Sequence, residues 1–113
     1  WEEDAFLTAV DEAMSRPEAL AARLFGIRAQ DLLHGLPPAS ARARVSGLLV
    51  GAELAAAKPY WIGQSIAMIG AQALCDGYAA ALSAQHVPVI RTDTSQMTLA
   101  GLKAAYATWK ETP

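Results

Sequence analysis

The chain has 113 residues and a formal charge of −2 at pH 7. This length fits one domain with a modest core, and the charge gives no electrostatic reason to expect nucleic acid as a partner. Although 53% of the residues are hydrophobic, 25 of the 113 are alanine, so we expect small side chains in closely packed helices. A charged fraction of only 18% argues against intrinsic disorder.

Cysteine content and apolar runs indicate the compartment. Cys75 is the only cysteine, which excludes a disulfide framework and a cysteine-based zinc site and favours a reducing, cytoplasmic compartment. The apolar stretch from Val45 to Ala57 contains Glu53 and is shorter than the about 20 residues of a membrane span, so no membrane association is expected. Because the chain begins at Trp1 and not at a methionine, we expect it to be cut from a longer protein.

The first part of the chain, residues 1–58, is predicted to be helical. Apolar residues at helical spacing predict one helix over residues 4–14, a second over 18–34 and a third from a Ser40 cap to about Ala57. Gly47 and Gly51 are four positions apart in the third helix. This spacing would let another backbone approach closely.

The second part, residues 59–113, is predicted to form a strand–helix–strand–helix unit. The strands are expected over 65–69 and 87–92, with both faces of the first one buried, and a helix over about 71–85 between them. Such a crossover implies a parallel pair, and since two strands make a poor sheet, further strands are expected elsewhere. Thr98 is the predicted cap of a last helix, and its apolar face consists of Leu99, Leu102, Tyr106 and Trp109.

The junction Ile69-Gly70-Ala71 is the most informative local feature. A strand that stops at glycine and turns at once into a helix leaves free backbone N–H groups, and a ligand can come close to a residue that has no side chain. An ordinary tight turn between a strand and a helix would explain the same residues. Residues 70–77 lack the three-glycine dinucleotide fingerprint, and the chain has no P-loop.

The sequence context of the other candidate residues favours structural over catalytic roles. Cys75 could be a nucleophile, but no histidine is near in sequence, and a small core residue is the better interpretation. His34 and His86 stand alone near predicted helix ends, where the helix dipole accounts for them. Glu53 interrupts an alanine-rich helix, and a solvent-facing position or a salt bridge is favoured over catalysis.

Three stretches taken together resemble one enzyme family. They are Leu24-Phe25-Gly26-Ile27-Arg28-Ala29, Ser46-Gly47-Leu48-Leu49-Val50-Gly51-Ala52-Glu53 and Ile66-Ala67-Met68-Ile69-Gly70. In this order and spacing they look like the C-terminal part of the 2-dehydro-3-deoxygalactonokinase family, and the resemblance extends over nearly the whole chain. It implies a helix-rich α/β fold, with three helices before a βαβα tail, as the C-terminal part of an actin-like ATPase (ribonuclease H-like) lobe.

The resemblance also implies an activity and a set of contacts. Such enzymes transfer the γ-phosphoryl of MgATP to the 6-hydroxyl of 2-dehydro-3-deoxy-D-galactonate, a small sugar acid. By the same resemblance, the turn at Gly70 falls on the adenosine motif, and Gly70, Ala71, Ala73 and Leu74 are the expected ATP-binding residues. Ala71 stands where many relatives have a second glycine. Gly101 falls on a small-residue position of the last helix.

The resemblance places the remaining machinery outside this chain. The phosphate-binding hairpin with its acidic residue for Mg²⁺, the sugar-binding lobe and the catalytic aspartate are all expected upstream. We therefore expect no catalytic residue and no metal ligand in these 113 residues, with an upstream lobe of the same protein as the partner. Alone, the chain is predicted to be inactive and either marginally stable or self-associating into a homo-oligomer.

Three other interpretations fit parts of the sequence. A non-enzymatic helical assembly domain would explain the alanine content and the Gly47–Gly51 surface. A lobe of another sugar or acetate kinase of the same superfamily would share the turn at Gly70. A dinucleotide-binding fragment is the weakest of the three, because the glycine fingerprint is missing.

Overall fold

A computed structural model describes residues 1–113 and shows a helix-rich α/β chain with one small sheet. A 3₁₀ turn at Pro17–Ala19 separates the first two helices. The helices and strands are, in chain order, α1 (Glu3–Ser15), α2 (Leu20–His34), α3 (Pro38–Ala56), α4 (Lys58–Trp61), β1 (Ile66–Met68), α5 (Gln72–Ala84), β2 (Val89–Arg91) and α6 (Thr94–Glu111).

The two glycines of α3 lie against α1. A Cβ at Gly51 would lie 2.5 Å from the carbonyl oxygen of Val10, and one at Gly47 would meet the carbonyl oxygen of Phe6. The close backbone approach predicted from their spacing is therefore confirmed. Because α1 of the same chain occupies this surface, it is not available as an assembly face, and the assembly-domain interpretation loses this support.

The core is centred on the contact between α1 and α3 and continues beneath the sheet. Phe6, Val10 and Leu48 are its largest fully buried side chains. Phe6 and Val10 belong to one cluster with Trp61, Met68 and Leu82, whereas Leu48 belongs to a smaller cluster that includes Ile27 of α2. These small, tightly spaced contacts fit the alanine-rich composition, because an alanine at a helix contact lets neighbouring backbones come close.

The two strands pair in parallel, as the crossover predicts. Ile66 is opposite Val89 and Met68 is opposite Arg91, with α5 connecting the strands. The prediction that both faces of the first strand are buried is wrong: Met68 is buried, but Ala67 is exposed and Ile69 is 60% exposed. No element of this chain covers that side of the sheet.

Two predicted helix caps are wrong. The third helix begins at Pro38, because proline fits the first helical position, and the Ser40 hydroxyl donates instead to the Glu2 carboxylate at 2.6 Å. The last helix begins four residues before Thr98. Asp93 caps it by accepting the backbone N–H of Gln96 at 2.8 Å.

The structure has four helices before the first strand, where the sequence predicted three. The additional one, α4, is a single turn that starts at Lys58 with a proline in its first turn. Its last residue, Trp61, is buried, and the indole Nε1–H donates to the Leu54 carbonyl at 2.8 Å. This contact fixes the direction in which the chain enters β1.

The last helix extends away from the rest of the chain. None of its residues is buried, and it makes no extensive contact with another helix or strand. The molecule is accordingly elongated, with extents of 68 × 28 × 21 Å and a radius of gyration of 18.4 Å, compared with about 13 Å for a compact chain of this length. No helix has both the length and the apolar character needed to cross a membrane.

Candidate functional site

A polar cleft of about 410 Å³ opens at the carboxyl ends of the two parallel strands. In open α/β sheets this edge is where ligands bind, because the loops that follow the strands converge there. The cleft is lined by Met68, Gly70, Gln72, Cys75, Arg91, Thr92, Asp93, Thr94 and Ser95.

Hydrogen bonds between the two strand ends hold the floor of the cleft together. The Thr92 hydroxyl donates to the Met68 carbonyl at 2.6 Å, and the Thr92 backbone N–H donates to the same oxygen at 3.1 Å. The Thr94 hydroxyl donates to the Gly70 carbonyl at 3.2 Å. Because these bonds connect the chain after β2 to the chain after β1, the two loops form one continuous surface.

The helices that begin at the cleft differ in their capping. Ala71 precedes α5 and offers no side-chain cap, so the first N–H groups of that helix stay available to solvent or a ligand. The first turn of α6 is capped by the carboxylate of Asp93. The polarity of the cleft is therefore uneven, with free donors at α5 and a carboxylate at α6.

One ion pair lies at the edge of the cleft. The Arg91 guanidinium, at the end of β2, donates to the Asp76 carboxylate on α5. This hydrogen bond raises the pKa of Arg91 above its ordinary value. Both side chains are about half exposed, so the pair orients the guanidinium and contributes little to stability.

Gly70 is not required to be glycine by the fold of this chain. Its φ is not positive, and a Cβ there would meet only the Cys75 Sγ at 3.6 Å, an ordinary contact. Gly51, in contrast, has no room for a Cβ at all. The missing side chain at Gly70 therefore leaves space at the mouth of the cleft that nothing in the chain uses.

Comparison with known proteins identifies the family of this chain. The sequence model of the 2-keto-3-deoxy-galactonokinase family matches residues 1–105. The chain belongs to this family. The 2-keto-3-deoxy-galactonokinase assignment agrees with the resemblance drawn from the three sequence stretches.

Two relatives, one known from its sequence and one from a crystal structure, match most of this chain. A protein of Rhizobium meliloti (strain 1021) named "Probable 2-dehydro-3-deoxygalactonokinase DgoK1" is 36% identical over 102 residues, which are 89% of this chain and 33% of that protein. The crystal structure of a Sinorhizobium meliloti protein named "putative 2-dehydro-3-deoxygalactonokinase protein" is 37% identical, with a TM-score of 0.81, and the match covers 93% of this chain and 36% of the other. The chain thus spans about a third of the length of its relatives.

The four ATP-binding residues predicted for this galactonokinase family member do not all line one cavity. Gly70 lines the polar cleft, whereas Ala71 is exposed and lines neither of the two cavities described here. Ala73 and Leu74 line an adjacent apolar cavity of about 590 Å³, between α5 and the start of α1. The first turn of α5 therefore separates two cavities of different chemistry.

Sequence reasoning missed the other side of the cleft. Gln72 follows the predicted turn directly, and Thr92, Asp93 and Thr94 follow the second strand. The sequence could have indicated these residues, because the carboxyl ends of two parallel strands must meet at the same edge of a sheet. The predicted crossover therefore brings the residues after β2 next to Gly70.

The remaining candidate residues have structural surroundings. Cys75 is half-buried and packs against the core, which confirms the packing interpretation, and its sulfur also lines the cleft. Glu53 is exposed, and its partner is the Tyr78 hydroxyl, not a basic residue. That hydrogen bond raises the pKa of Tyr78 to about 12. His34 and His86 are exposed.

The donor set of this chain does not fit a divalent metal. No three histidine, cysteine, aspartate or glutamate side chains come together at a point. The carboxylates at the cleft are already engaged, since Asp93 caps α6 and Asp76 pairs with Arg91. We therefore derive no chemical step through Mg²⁺ from these residues.

Proposed function

We propose that this chain forms the nucleotide side of an ATP-dependent sugar-acid kinase, as the C-terminal part of one lobe of an actin-like ATPase fold. The whole enzyme transfers the γ-phosphoryl of ATP to the 6-hydroxyl of 2-dehydro-3-deoxy-D-galactonate. Membership of the 2-keto-3-deoxy-galactonokinase family supports this function. A reducing, cytoplasmic setting, which the single cysteine favours, is part of the same proposal.

The observation that carries the proposal is the glycine at the mouth of the cleft. Glycine costs conformational entropy, so a fold keeps it where the backbone or the packing requires it, or where something else must come close. At Gly70 neither the φ angle nor the neighbouring atoms require it. A nucleoside lying against this turn would need the space that a side chain would take.

The lining of the cleft suits the polar parts of a nucleotide. Thr92 and Thr94 line the cleft, and their hydroxyls donate hydrogen bonds to backbone carbonyls, so their oxygen lone pairs remain as acceptors for ribose hydroxyls. The uncapped N–H groups at the start of α5 suit phosphate oxygens. Ala71, Ala73 and Leu74 complete the contact to the nucleoside on the apolar side of the same helix turn.

The role of this chain is binding and orientation. Bound MgATP supplies the phosphoryl group and the charge neutralisation that its transfer needs. The acidic residue for Mg²⁺, the catalytic aspartate and the sugar site belong to the part of the protein outside these 113 residues. We therefore expect no ADP formation from the chain alone with MgATP and the sugar acid.

Occupancy of the cleft can be measured without turnover. Cys75 lines the cleft, so a bound nucleotide should shield its thiol from alkylation. In the protein extended to the length of its relatives, we expect MgATP to slow labelling of the Cys75 peptide several-fold, measured by mass spectrometry. Gly70→Val should abolish this protection at an unchanged unfolding midpoint. Gly26→Val, which also enters open space but lies on α2, should preserve it.

The substrate is tested separately by ADP release. Turnover with 2-dehydro-3-deoxygalactonate and little with its gluconate epimer is the expected result. Equal labelling of Cys75 with and without nucleotide would overturn the nucleotide role of the cleft. Protection without turnover of any sugar acid would retain that role and overturn the substrate.

A further inference from the structure

The last helix, α6, presents an apolar face that nothing in the chain covers. Leu99, Leu102, Tyr106 and Trp109 follow one another at intervals of three and four residues, and so lie along one side of the helix. They are exposed by 54–71%, and no residue of the 18-residue helix is buried. The Tyr106 and Trp109 rings contact each other, with centroids 5.8 Å apart.

One border of this face also suggests a partner. Lys103 and Lys110, seven residues apart, lie along one side of the stripe. This basic border suits a covering surface that carries carboxylates opposite the lysines.

A longer protein of known structure matches most of this chain. The match to the Sinorhizobium meliloti structure covers 93% of this chain at a TM-score of 0.81, so most of α6 takes part in it. That match covers only 36% of the other chain. A protein of that length has about two thirds of its polypeptide available to cover α6.

We propose that the apolar face of α6 is an intramolecular docking surface, covered by the part of the same polypeptide that lies outside these 113 residues. The proposal rests on the proposed function only in treating the chain as part of a longer kinase. A second copy fits less well. Even at about 250 Å² for each side chain, the four exposed residues offer at most roughly 600 Å², below the roughly 800 Å² per partner of a specific complex. A segment of the same polypeptide does not need so large an area, because its effective concentration is high.

Two matched substitutions test the proposal by stability. Leu102→Glu places a charge in the apolar face, and Ala104→Glu places the same charge about 200° around the helix, on the opposite side. In the protein extended to the length of its relatives, Leu102→Glu should reduce the equilibrium constant for folding roughly 10- to 100-fold, as burial of one leucine predicts. Ala104→Glu should change it less than about 2-fold. In the 113-residue chain, where both positions are exposed, the two variants should behave alike.

A second measurement keeps the proposal testable if Leu102→Glu fails to fold. Amide hydrogen exchange over residues 94–111 of the unmodified extended protein should be slow and independent of protein concentration, since the cover is in the same molecule. Equal effects of the two substitutions in the extended protein, or fast exchange there, would overturn the proposal. Exchange that slows with rising concentration, together with dissociation of a dimer by Leu102→Glu, would identify a second copy as the occupant. None of these results depends on kinase activity.

Discussion

The contact between α1 and α3 leaves no room for a side chain at Gly51, and Gly51→Ala is the sharpest test of the fold. The new Cβ would lie 2.5 Å from the Val10 carbonyl oxygen, 2.9 Å from the Val10 Cα and 2.9 Å from the Ala13 Cβ. Two of these three atoms belong to the backbone, so no side-chain rotation relieves the overlap. The helices must separate by about 1 Å to restore ordinary contact distances.

The cost follows from what that separation disturbs. Val10 is buried to 1% exposure and Ala13 to 0%, so moving α1 loosens well-packed atoms. Overpacking a buried site costs about 1–3 kcal/mol, and occasionally more. Alanine regains up to about 1 kcal/mol of helix propensity relative to glycine, which offsets only part of this cost. Because the overlap involves rigid backbone atoms, we take the upper end of this range, about 3 kcal/mol, which leaves a net loss of about 2 kcal/mol, or a fall in Tm of about 8 °C for a chain of this size.

Urea unfolding followed by circular dichroism measures the effect, with Gly26→Ala as the matched control. Gly26 also lies inside a helix, but a Cβ there meets nothing within 4 Å, so the substitution should stabilise the chain by up to about 1 kcal/mol. The two alanines should therefore move the midpoint in opposite directions. A Gly51→Ala loss below about 0.5 kcal/mol would refute the close approach of the two helices.

Two further predictions concern Tyr78 and Asp93. The Glu53 carboxylate accepts a hydrogen bond from the Tyr78 hydroxyl, which raises the pKa of Tyr78 to about 12. Glu53→Gln should lower that pKa toward 10, measured by ultraviolet titration of tyrosine. Because the Tyr78 pKa is higher in the folded than in the unfolded chain, this hydrogen bond stabilises the folded chain fully below pH 10. The stabilisation is lost as pH rises toward about 12. Asp93→Ala should cost the helix it caps about 0.5–2 kcal/mol and Asp93→Asn much less, measured by amide exchange of residues 94–111. An unchanged Tyr78 titration in Glu53→Gln, or equal exchange in the two Asp93 variants, would contradict the respective contact.

The sequence predicted the elements better than their ends. Helical spacing and the crossover located the long helices and the parallel strands, because periodicity over many residues averages out local exceptions. The starts of two helices were wrong although the chain contains their signals. Asp93 precedes Gln96 by the three residues of a capping box, and Pro38 is a residue typical of a first helical turn. Ser40 and Thr98 are also residue types that cap helices, so residue type alone does not determine where the two helices begin.

Burial was harder to predict than secondary structure, because an apolar residue does not identify what covers it. The short run that forms β1 was expected to be buried on both faces, yet Ile69 is 60% exposed and one face of the strand is open in this chain. The apolar face of α6 is exposed for the same reason. Both patterns fit a chain whose relatives are about three times as long, in which other segments can meet these surfaces.

The glycines show how structure separates fold from function where sequence cannot. Gly51 and Gly70 are both glycines at which the sequence predicts a close approach, of another backbone at Gly51 and of a ligand at Gly70. At Gly51 the approaching atoms are present in the chain itself, so packing explains the glycine. At Gly70 a Cβ would meet only the Cys75 Sγ at an ordinary distance, and at Gly101 it would meet nothing within 4 Å, so packing within the chain explains neither glycine. At Gly70 the occupant that we propose is a nucleotide, because the polar cleft opens there.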